Sequence, residues 1–229
     1  MKNTCLRNFL KVNRDKIFLI GVDSLMSDIL PWCFNNIRKH NPNSKIGIVA
    51  LDNLSHKTYR WINDNADYFK QYDKHKKFPW FLKPKVILDC PFEYVCWVDI
   101  DCEVLKNIED IFDYCEDGKI GLTKDVCRKI NNEYCFATGV IAIKNYPYKS
   151  PLLKKWDLEI KDTDLRGDQE VLHNILENEP LLKNEINIMP IEYQWLRLLI
   201  DNRKEDNPKK KIMHWTGALG KDYIRKNLI

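Results

Sequence analysis

Residues 94–104 read YVCWVDIDCEV, an apolar run that ends in closely spaced acids. The β-branched and aromatic residues of 94–98 are typical of a buried strand, and Asp99 and Asp101 follow at once. Parallel sheets bind ligands in the crevice at the carboxyl ends of their strands. Where the strand ends and the chain turns, the two aspartates would converge on a hard cation such as Mn²⁺ or Mg²⁺. The same acids also suit an ordinary turn before the next helix, and their spacing alone leaves both interpretations open.

Apolar strand-like runs and helix-like segments alternate on both sides of this stretch. Strands are predicted at 16–22 and 45–52, and helix-like segments follow them at 24–40 and 56–72. This order predicts an α/β fold, a single Rossmann-like domain over residues 1–229 with a mostly parallel central sheet flanked by helices. The other predicted elements are strands at 119–123, 139–144 and 186–190, and helices at 78–88, 107–115, 150–162 and 168–178.

Composition sets limits on the class of protein. The 229 residues are 44% hydrophobic and 11% aromatic, enough for one sizeable core. The 37 basic and 33 acidic residues nearly balance, so charge does not indicate nucleic-acid binding, although it permits an anionic ligand. Charges interrupt the apolar runs of the amino terminus, so we expect a soluble cytoplasmic protein. The eight cysteines form no CxxC pair and are interpreted as buried thiols, with a disulfide framework or zinc site as the alternative.

The segment VILDCPFEYVCWVDIDCEVLKNIEDIF, residues 86–112, resembles the acidic DxD segment of GT-A glycosyltransferases, most closely the retaining enzymes of glycosyltransferase family 8 and relatives. The resemblance extends from Lys16 to Lys221, and it implies a GT-A fold. It also implies metal-dependent transfer of a sugar from a nucleoside diphosphate sugar, with UDP-sugars favoured and retention at the anomeric carbon. The motifs that carry it, in the family's order, are FLIGVDS (18–24), WFLKPKVIL (80–88), ATGVIAIK (137–144), GDQEVLHNIL (167–176) and MHWTGALGK (213–221).

The resemblance implies a metal site and a diphosphate site. In the second, Gly217 would approach the diphosphate closely and Lys221 would supply positive charge. The family's lysine stands three residues after this glycine, where the chain has Gly220, so we interpret the loop as one residue longer. An interior histidine and a solvated lysine are the ordinary alternatives. The implied ligands, with an imidazole that favours Mn²⁺ over Mg²⁺, are Asp99, Asp101 and His214.

Further positions are implied to contact the donor. Asp168 and Gln169 match the family's catalytic Asp-Gln pair at the donor sugar, although Asp168 also suits a helix start. Ala137 stands where the family has asparagine, which removes one expected hydrogen bond to the sugar. Asp23 would equally begin a helix, and Lys85 would equally be a solvated lysine. The remaining implied donor contacts are Gly21, Val22, Asp23, Lys85, Asp99, Ile100, Thr138 and Gly139.

The acceptor is left open by the sequence: a glycan, a protein, a lipid-linked sugar and a modified DNA base are all compatible with it. Three other classes of protein share single features with this sequence. A phosphatase of the haloacid dehalogenase type also carries DxD at a strand end, and a sugar-nucleotide pyrophosphorylase also uses strand-end acids. A non-catalytic nucleic-acid-binding protein would use the lysines at 209–211 with Trp215 and Tyr223.

Overall fold

The structure is a computed structural model that describes residues 13–130 and 133–229. Its strands, in chain order, are β1 (Asn13–Val22), β2 (Lys45–Ala50), β3 (Tyr68–Gln71), β4 (Phe92–Val98), β5 (Cys102–Val104), β6 (Ile120–Ile130), β7 (Glu133–Lys144), β8 (Ile186–Ile188), β9 (Trp195–Leu196) and β10 (Ile212–His214). Its α-helices are α1 (Leu30–His40), α2 (His56–Asn65), α3 (Lys83–Asp89), α4 (Pro151–Glu159), α5 (Asp168–Asn178), α6 (Arg197–Arg203) and α7 (Gly217–Asn227). Short 3₁₀ helices occupy Pro79–Leu82, Glu109–Tyr114, Pro180–Glu185 and Ile191–Tyr193.

The main sheet has the strand order β3-β2-β1-β4-β7-β6-β8, and a small sheet has the order β5-β10-β9. The first four strands of the main sheet run parallel, whereas β7 is antiparallel to both β4 and β6. The predicted α/β class with a mostly parallel central sheet is therefore confirmed. In register, Val98 at the end of β4 lies between Ile20 of β1 and Val140 of β7.

Helices cover both faces of the main sheet because successive strand residues point in opposite directions. In β1, Phe18 and Ile20 pack into a core with α1 and α2, while Ile17 and Leu19 pack into a core with α3, α4 and α5. Trp97 of β4 lies in the second core and is 2% exposed. Both faces of the central strands are thus apolar, which explains their nearly continuous hydrophobic sequences.

Two predicted helices are shorter than the sequence indicated. The segment 24–40 begins as turns, and α1 starts at Leu30, because the Asp23 carboxylate accepts hydrogen bonds from the backbone of Leu25 and Met26 at 2.9 Å each. The segment 56–72 ends its helix at Asn65, and residues 68–71 form the edge strand β3 beside β2. Strands β5, β9 and β10 and helices α6 and α7 were not predicted.

The structure also bears on the predicted state of the cysteines and on whether any helix could span a membrane. The seven cysteines within the described residues are free thiols, and five of them are buried; Cys5 lies outside the described residues. Across residues 13–130 and 133–229, no helix is both long enough and apolar enough to cross a bilayer.

Asn41 joins the end of α1 to the segment that follows β5. Its Oδ1 accepts from the Ile108 backbone N–H at 2.9 Å, its Nδ2 donates to the Ile37 carbonyl at 3.1 Å, and the residue is fully buried. Because Asn41→Ala leaves a buried N–H without its acceptor, we expect a loss of about 1–3 kcal/mol in the free energy of unfolding, measured by urea denaturation. The exposed Asn43→Ala is the control, and an equal loss in both variants would contradict this role for Asn41.

Candidate active site

A cavity of about 330 Å³ opens at the carboxyl ends of β1 and β4. Val22, Lys85 and Gly217, which the sequence also placed at the donor, do not line it. The sequence-predicted residues that do line it are Gly21, Asp23, Asp99, Ile100, Asp101, Thr138, Gly139, Asp168, Gln169, His214 and Lys221.

A tight turn follows β4 and directs the two aspartates to different neighbours. The Asp99 carbonyl accepts from the Cys102 N–H at 2.9 Å, which closes the turn, and the Asp99 N–H donates to the Gly139 carbonyl at 2.7 Å. The Asp101 carbonyl accepts from the Trp215 N–H at 2.9 Å. The turn is therefore fixed to β7 on one side and to the end of β10 on the other.

The carboxylate of Asp99 lies beside a lysine that the sequence analysis did not identify. Lys83, the first residue of α3, is 2% exposed, and its Nζ lies 3.0 Å from Asp99 Oδ1 and donates to the Thr138 carbonyl at 2.9 Å. Trp97 Nε1 donates to Asp99 Oδ1 at 2.6 Å. Burial raises the pKa of Asp99, with Lys83 opposing this shift and Asp101 adding to it.

Asp168 shares the same lysine. Its Oδ2 lies 2.8 Å from Lys83 Nζ, so the carboxylate faces into the cavity rather than capping α5, which begins at this residue. Glu170 instead accepts from the N–H groups that precede the helix, those of Gly167 and Arg166. Burial alone would lower the pKa of Lys83, but the charges of Asp168 and Asp99 outweigh it and hold that pKa above its ordinary value.

The carboxylate of Asp101 contacts two residues of the carboxyl-terminal segment, His214 and Lys221. Its Oδ1 is 3.2 Å from His214 Nε2 and its Oδ2 is 2.9 Å from Lys221 Nζ. Although burial opposes the shift, His214 and Lys221 together hold the pKa of Asp101 below its ordinary value. Burial likewise opposes the upward shifts in the pKa of His214 and of Lys221, and in both the attraction of Asp101 prevails. Asp101 is thus the more firmly ionised of the two motif aspartates.

The donor atoms available to a metal ion differ in part from the predicted set. Ligand atoms of Asp101, Cys102 and His214 lie within 4.8 Å of one another, and all three residues are buried. A carboxylate and an imidazole in this arrangement fit a first-row divalent cation such as Mn²⁺. Asp99 lies outside this group, because its carboxylate faces Lys83 and Trp97.

Two glycines permit this arrangement. A Cβ on Gly139 would lie 2.5 Å from Cε1 of His214 and 2.7 Å from Nε2 of Gln194, so only glycine allows the imidazole to pack against β7. A Cβ on Gly220 would lie 1.7 Å from the Trp215 carbonyl oxygen. The family's lysine therefore cannot stand at position 220 in this backbone, and Lys221 is the residue that reaches the cavity.

Asp125 and Trp80, which the sequence did not indicate, contact Gln169 and the segment just before Asp168. Asp125 of β6 is 7% exposed, and its Oδ2 accepts from Gln169 Nε2 at 2.9 Å. Trp80 lines the same cavity; its ring stacks on Phe78 with centroids 4.6 Å apart, and its Nε1 donates to the Arg166 carbonyl at 3.1 Å. Asp125 lies outside the motifs that carry the resemblance, and Trp80 begins the motif at 80–88 but has no implied role there.

The opposite end of the cavity contains the turn after β1. Asp23 lines the cavity while its Oδ1 holds the turn. Burial, opposed by these backbone hydrogen bonds and reinforced by Asp52, raises the pKa of Asp23. Asp52 fixes the same turn by accepting from the backbone and hydroxyl of Ser24 at 2.8 and 2.7 Å.

Of the two lysines in the first turn of α3, Lys83 lines the cavity and Lys85 does not. Lys85 is exposed and its Nζ lies 3.2 Å from Asp89 Oδ2, whereas Lys83 is buried and lines the cavity. The signal for Lys83 was its position on the buried face of α3, which it shares with Val86 and Ile87.

The chain adopts the GT-A glycosyltransferase fold, as comparison with solved structures shows. It is similar to galactosyltransferase LgtC in complex with donor and acceptor sugar analogues, with a TM-score of 0.60, 16% identity and coverage of 88% of this chain and 87% of LgtC. It is also similar to GlyE of Streptococcus pneumoniae TIGR4 (TM-score 0.66, 16% identity, 89% of this chain and 55% of GlyE). Mouse xyloside xylosyltransferase 1 gives a TM-score of 0.56 at 13% identity, over 87% of this chain and 97% of that one. No protein-family model and no curated protein sequence matches the chain.

Removal of the buried ammonium should destabilise the fold in a pH-dependent way. Lys83→Met leaves Asp99 and Asp168 without their shared cation, so we expect a loss of about 3–5 kcal/mol near neutral pH, measured by urea unfolding. The folded-state pKa of Asp99 is already raised, and a raised carboxyl pKa favours folding only where the group is protonated. The loss should therefore shrink at acidic pH and grow as pH rises through that pKa.

Lys85→Met is the matched control on the same helix, because its partly exposed pair with Asp89 should contribute at most about 1 kcal/mol. Equal destabilisation by both substitutions, or a Lys83→Met effect that does not vary with pH, would contradict the proposed charge balance.

Proposed function

We propose that this protein is a metal-dependent glycosyltransferase that moves a sugar from a nucleoside diphosphate sugar, with UDP-sugars favoured, to an unidentified acceptor. One observation carries the proposal: in a GT-A fold, Asp99 and Asp168 share the ammonium of Lys83 inside a cavity at the strand ends. Acidic and basic side chains meet in this cavity. Binding of a sugar nucleotide requires both, since the basic groups suit the anionic diphosphate and the acidic groups suit the polar sugar.

The metal site would be held by Asp101 and His214, with Asp99 of the same turn as the third predicted ligand. A divalent ion there would neutralise charge on the diphosphate leaving group, and Mn²⁺ suits the mixed carboxylate and imidazole ligands. Lys221, 2.9 Å from Asp101, is within reach of the same anion and would add a second positive charge. The predicted approach of Gly217 to the diphosphate remains part of this proposal, although Gly217 does not line the cavity.

Asp168 and Gln169 would bind the donor sugar near the anomeric carbon. As the bond to the leaving group breaks, positive charge develops on the sugar ring, and the Asp168 carboxylate would stabilise it. Asp125 holds the Gln169 amide, and Lys83 holds Asp168, so both side chains are oriented before the sugar binds. Retention by front-face attack of the acceptor is the favoured course, and a double displacement through Asp168 is the alternative.

The remaining donor contacts follow the cavity from its sugar end to its nucleoside end. Thr138 and Gly139 of β7 and Ile100 of the turn would border the sugar and diphosphate, while Gly21 and Asp23 would border the nucleoside. Lys83 replaces Lys85 as the basic residue of α3 in this proposal. The acceptor class stays open among those that the sequence permitted.

The nucleic-acid-binding alternative gains no support from the basic segment. Lys210 forms an ion pair with Asp206 at 2.5 Å, and Lys211 pairs with Asp110, so two of the three lysines of 209–211 are already neutralised. Trp215 and Tyr223 stack on each other with centroids 4.3 Å apart.

A donor screen tests the proposed function. We expect one UDP-sugar or GDP-sugar to be hydrolysed slowly in the presence of Mn²⁺, with activity removed by chelator and restored by Mn²⁺, measured as nucleoside diphosphate release. Asp101→Asn should abolish this release in folded protein because it removes a charged ligand. Generic phosphate monoesters are included as substrates for a phosphatase.

The screen has two outcomes that would overturn parts of the proposal. Release of phosphate from monoesters with no consumption of any nucleotide sugar would indicate a phosphatase. Full activity in chelator, or full activity of Asp101→Asn at saturating Mn²⁺, would exclude the metal site.

The role of Asp168 can be separated from a structural one. If its carboxylate stabilises charge in the transition state, Asp168→Asn should lower turnover at least ~100-fold while UDP affinity, measured by calorimetry, changes little. Asp164→Asn is the control, since Asp164 is exposed on the segment that precedes α5 and pairs with Lys77. Near-normal turnover in folded Asp168→Asn would exclude this catalytic role and leave Asp168 with a structural role only, its ion pair with Lys83.

A further inference from the structure

Gln194 connects the main sheet to the small sheet, because its side chain contacts both Val140 of β7 and His214 of β10. It lies between the 3₁₀ helix Ile191–Tyr193 and β9 and is 2% exposed. Its Oε1 accepts from the Val140 backbone N–H at 2.9 Å and faces the Thr123 hydroxyl at 3.4 Å. Its Nε2 lies 3.1 Å from Nδ1 of His214.

These contacts decide which imidazole nitrogen is the acceptor. A backbone N–H can only donate, so the atom of Gln194 that faces Val140 must be the amide oxygen. The amide nitrogen therefore faces His214, and because it has only hydrogens to offer, Nδ1 must accept. A neutral imidazole carries one proton, which places that proton on Nε2, 3.2 Å from Asp101 Oδ1.

Close packing restricts rotation of the His214 imidazole away from this arrangement. Gly139 packs directly on its Cε1 and Nδ1 edge, and His214 is 7% exposed. Besides burial, the charges that shift the pKa of His214 are those of Asp101, Asp99 and Lys83, and all three residues line the cavity. Gln194 is the hydrogen-bonding partner of Nδ1 among the described residues.

We propose that Gln194 is a positioning residue that holds His214 with Nδ1 as acceptor and Nε2–H directed at Asp101. Metal-ligating histidines ordinarily donate their second N–H to a carboxylate, a carbonyl or water. Here that second nitrogen faces a donor instead. Binding of a cation through Nε2 requires the proton to move to Nδ1 and the Gln194 hydrogen bond to break, so Gln194 weakens the metal site.

The metal part of this inference rests on the proposed function, but the position of the proton does not. It is read in the metal-free protein from the ¹⁵N shifts of the two ring nitrogens, above the pKa of the imidazole, with His214→Gln used to assign the signals. We expect Nε2 to be protonated in the native chain. A proton on Nδ1 would overturn the proposal whether or not the protein transfers sugars.

Gln194→Glu replaces the amide donor with a carboxylate acceptor and keeps an oxygen for Val140. We expect the proton to move to Nδ1 and the dissociation constant for Mn²⁺, measured by electron paramagnetic resonance of the free ion, to fall about 10-fold. The added negative charge would tighten any cation, so Mg²⁺ is the control: it prefers oxygen ligands and gains little from a free imidazole nitrogen. A proton that stays on Nε2, or equal tightening of both ions, would contradict the proposal.

Gln194→Met provides an uncharged second variant in case the buried carboxylate prevents folding. Loss of the amide donor should shift the Nδ1 resonance towards that of a nitrogen with no hydrogen-bond partner. An unchanged Nδ1 shift would show that Gln194 does not bond to His214.

Discussion

The ammonium of Lys83 is the contact on which the rest of the site depends. A buried lysine is costly unless its charge is balanced, and Lys83 meets Asp99, Asp168 and the Thr138 carbonyl. Those partners lie at the end of β4, the start of α5 and the middle of β7. One side chain that lines the cavity therefore fixes the relative positions of three elements that are distant in sequence.

The turn between β4 and β5 divides the site into two charge clusters. Asp99 belongs to the cluster of Lys83 and Asp168, while Asp101 belongs to that of His214 and Lys221. Burial raises the pKa of Asp99, whereas the pKa of Asp101 is lowered by His214 and Lys221 despite its burial. Two acids separated by one residue in the same motif thus have pKa shifts in opposite directions, which is the pattern expected when neighbouring carboxyl groups serve different tasks.

The sequence predicted the parts of the fold and site that depend on local pattern. The apolar runs of β1, β2 and β4 identified the parallel core, and the acids after β4 located the cavity, because strand ends follow directly from periodicity. Lys83 was missed in favour of Lys85, since choosing between two lysines on α3 requires knowing which face is buried. Gln194 and Asp125 were missed because their partners come from other strands and no local spacing indicates such contacts.

The carboxyl-terminal helix links both ends of the cavity. Arg225 of α7 donates to Asp28 through Nε at 2.6 Å and Nη2 at 3.0 Å, and also to the Leu25 carbonyl at 3.0 Å, so α7 is joined to the turn after β1. The Arg225–Asp28 ion pair is partly exposed and contributes little to stability, but its bidentate geometry restricts the orientation of α7 relative to the turn. Lys221 lies one turn earlier on the same helix. One helix therefore contacts both the turn that bears Asp23 and, through Lys221, the carboxylate of Asp101, and so it joins the proposed nucleoside and diphosphate ends of the cavity.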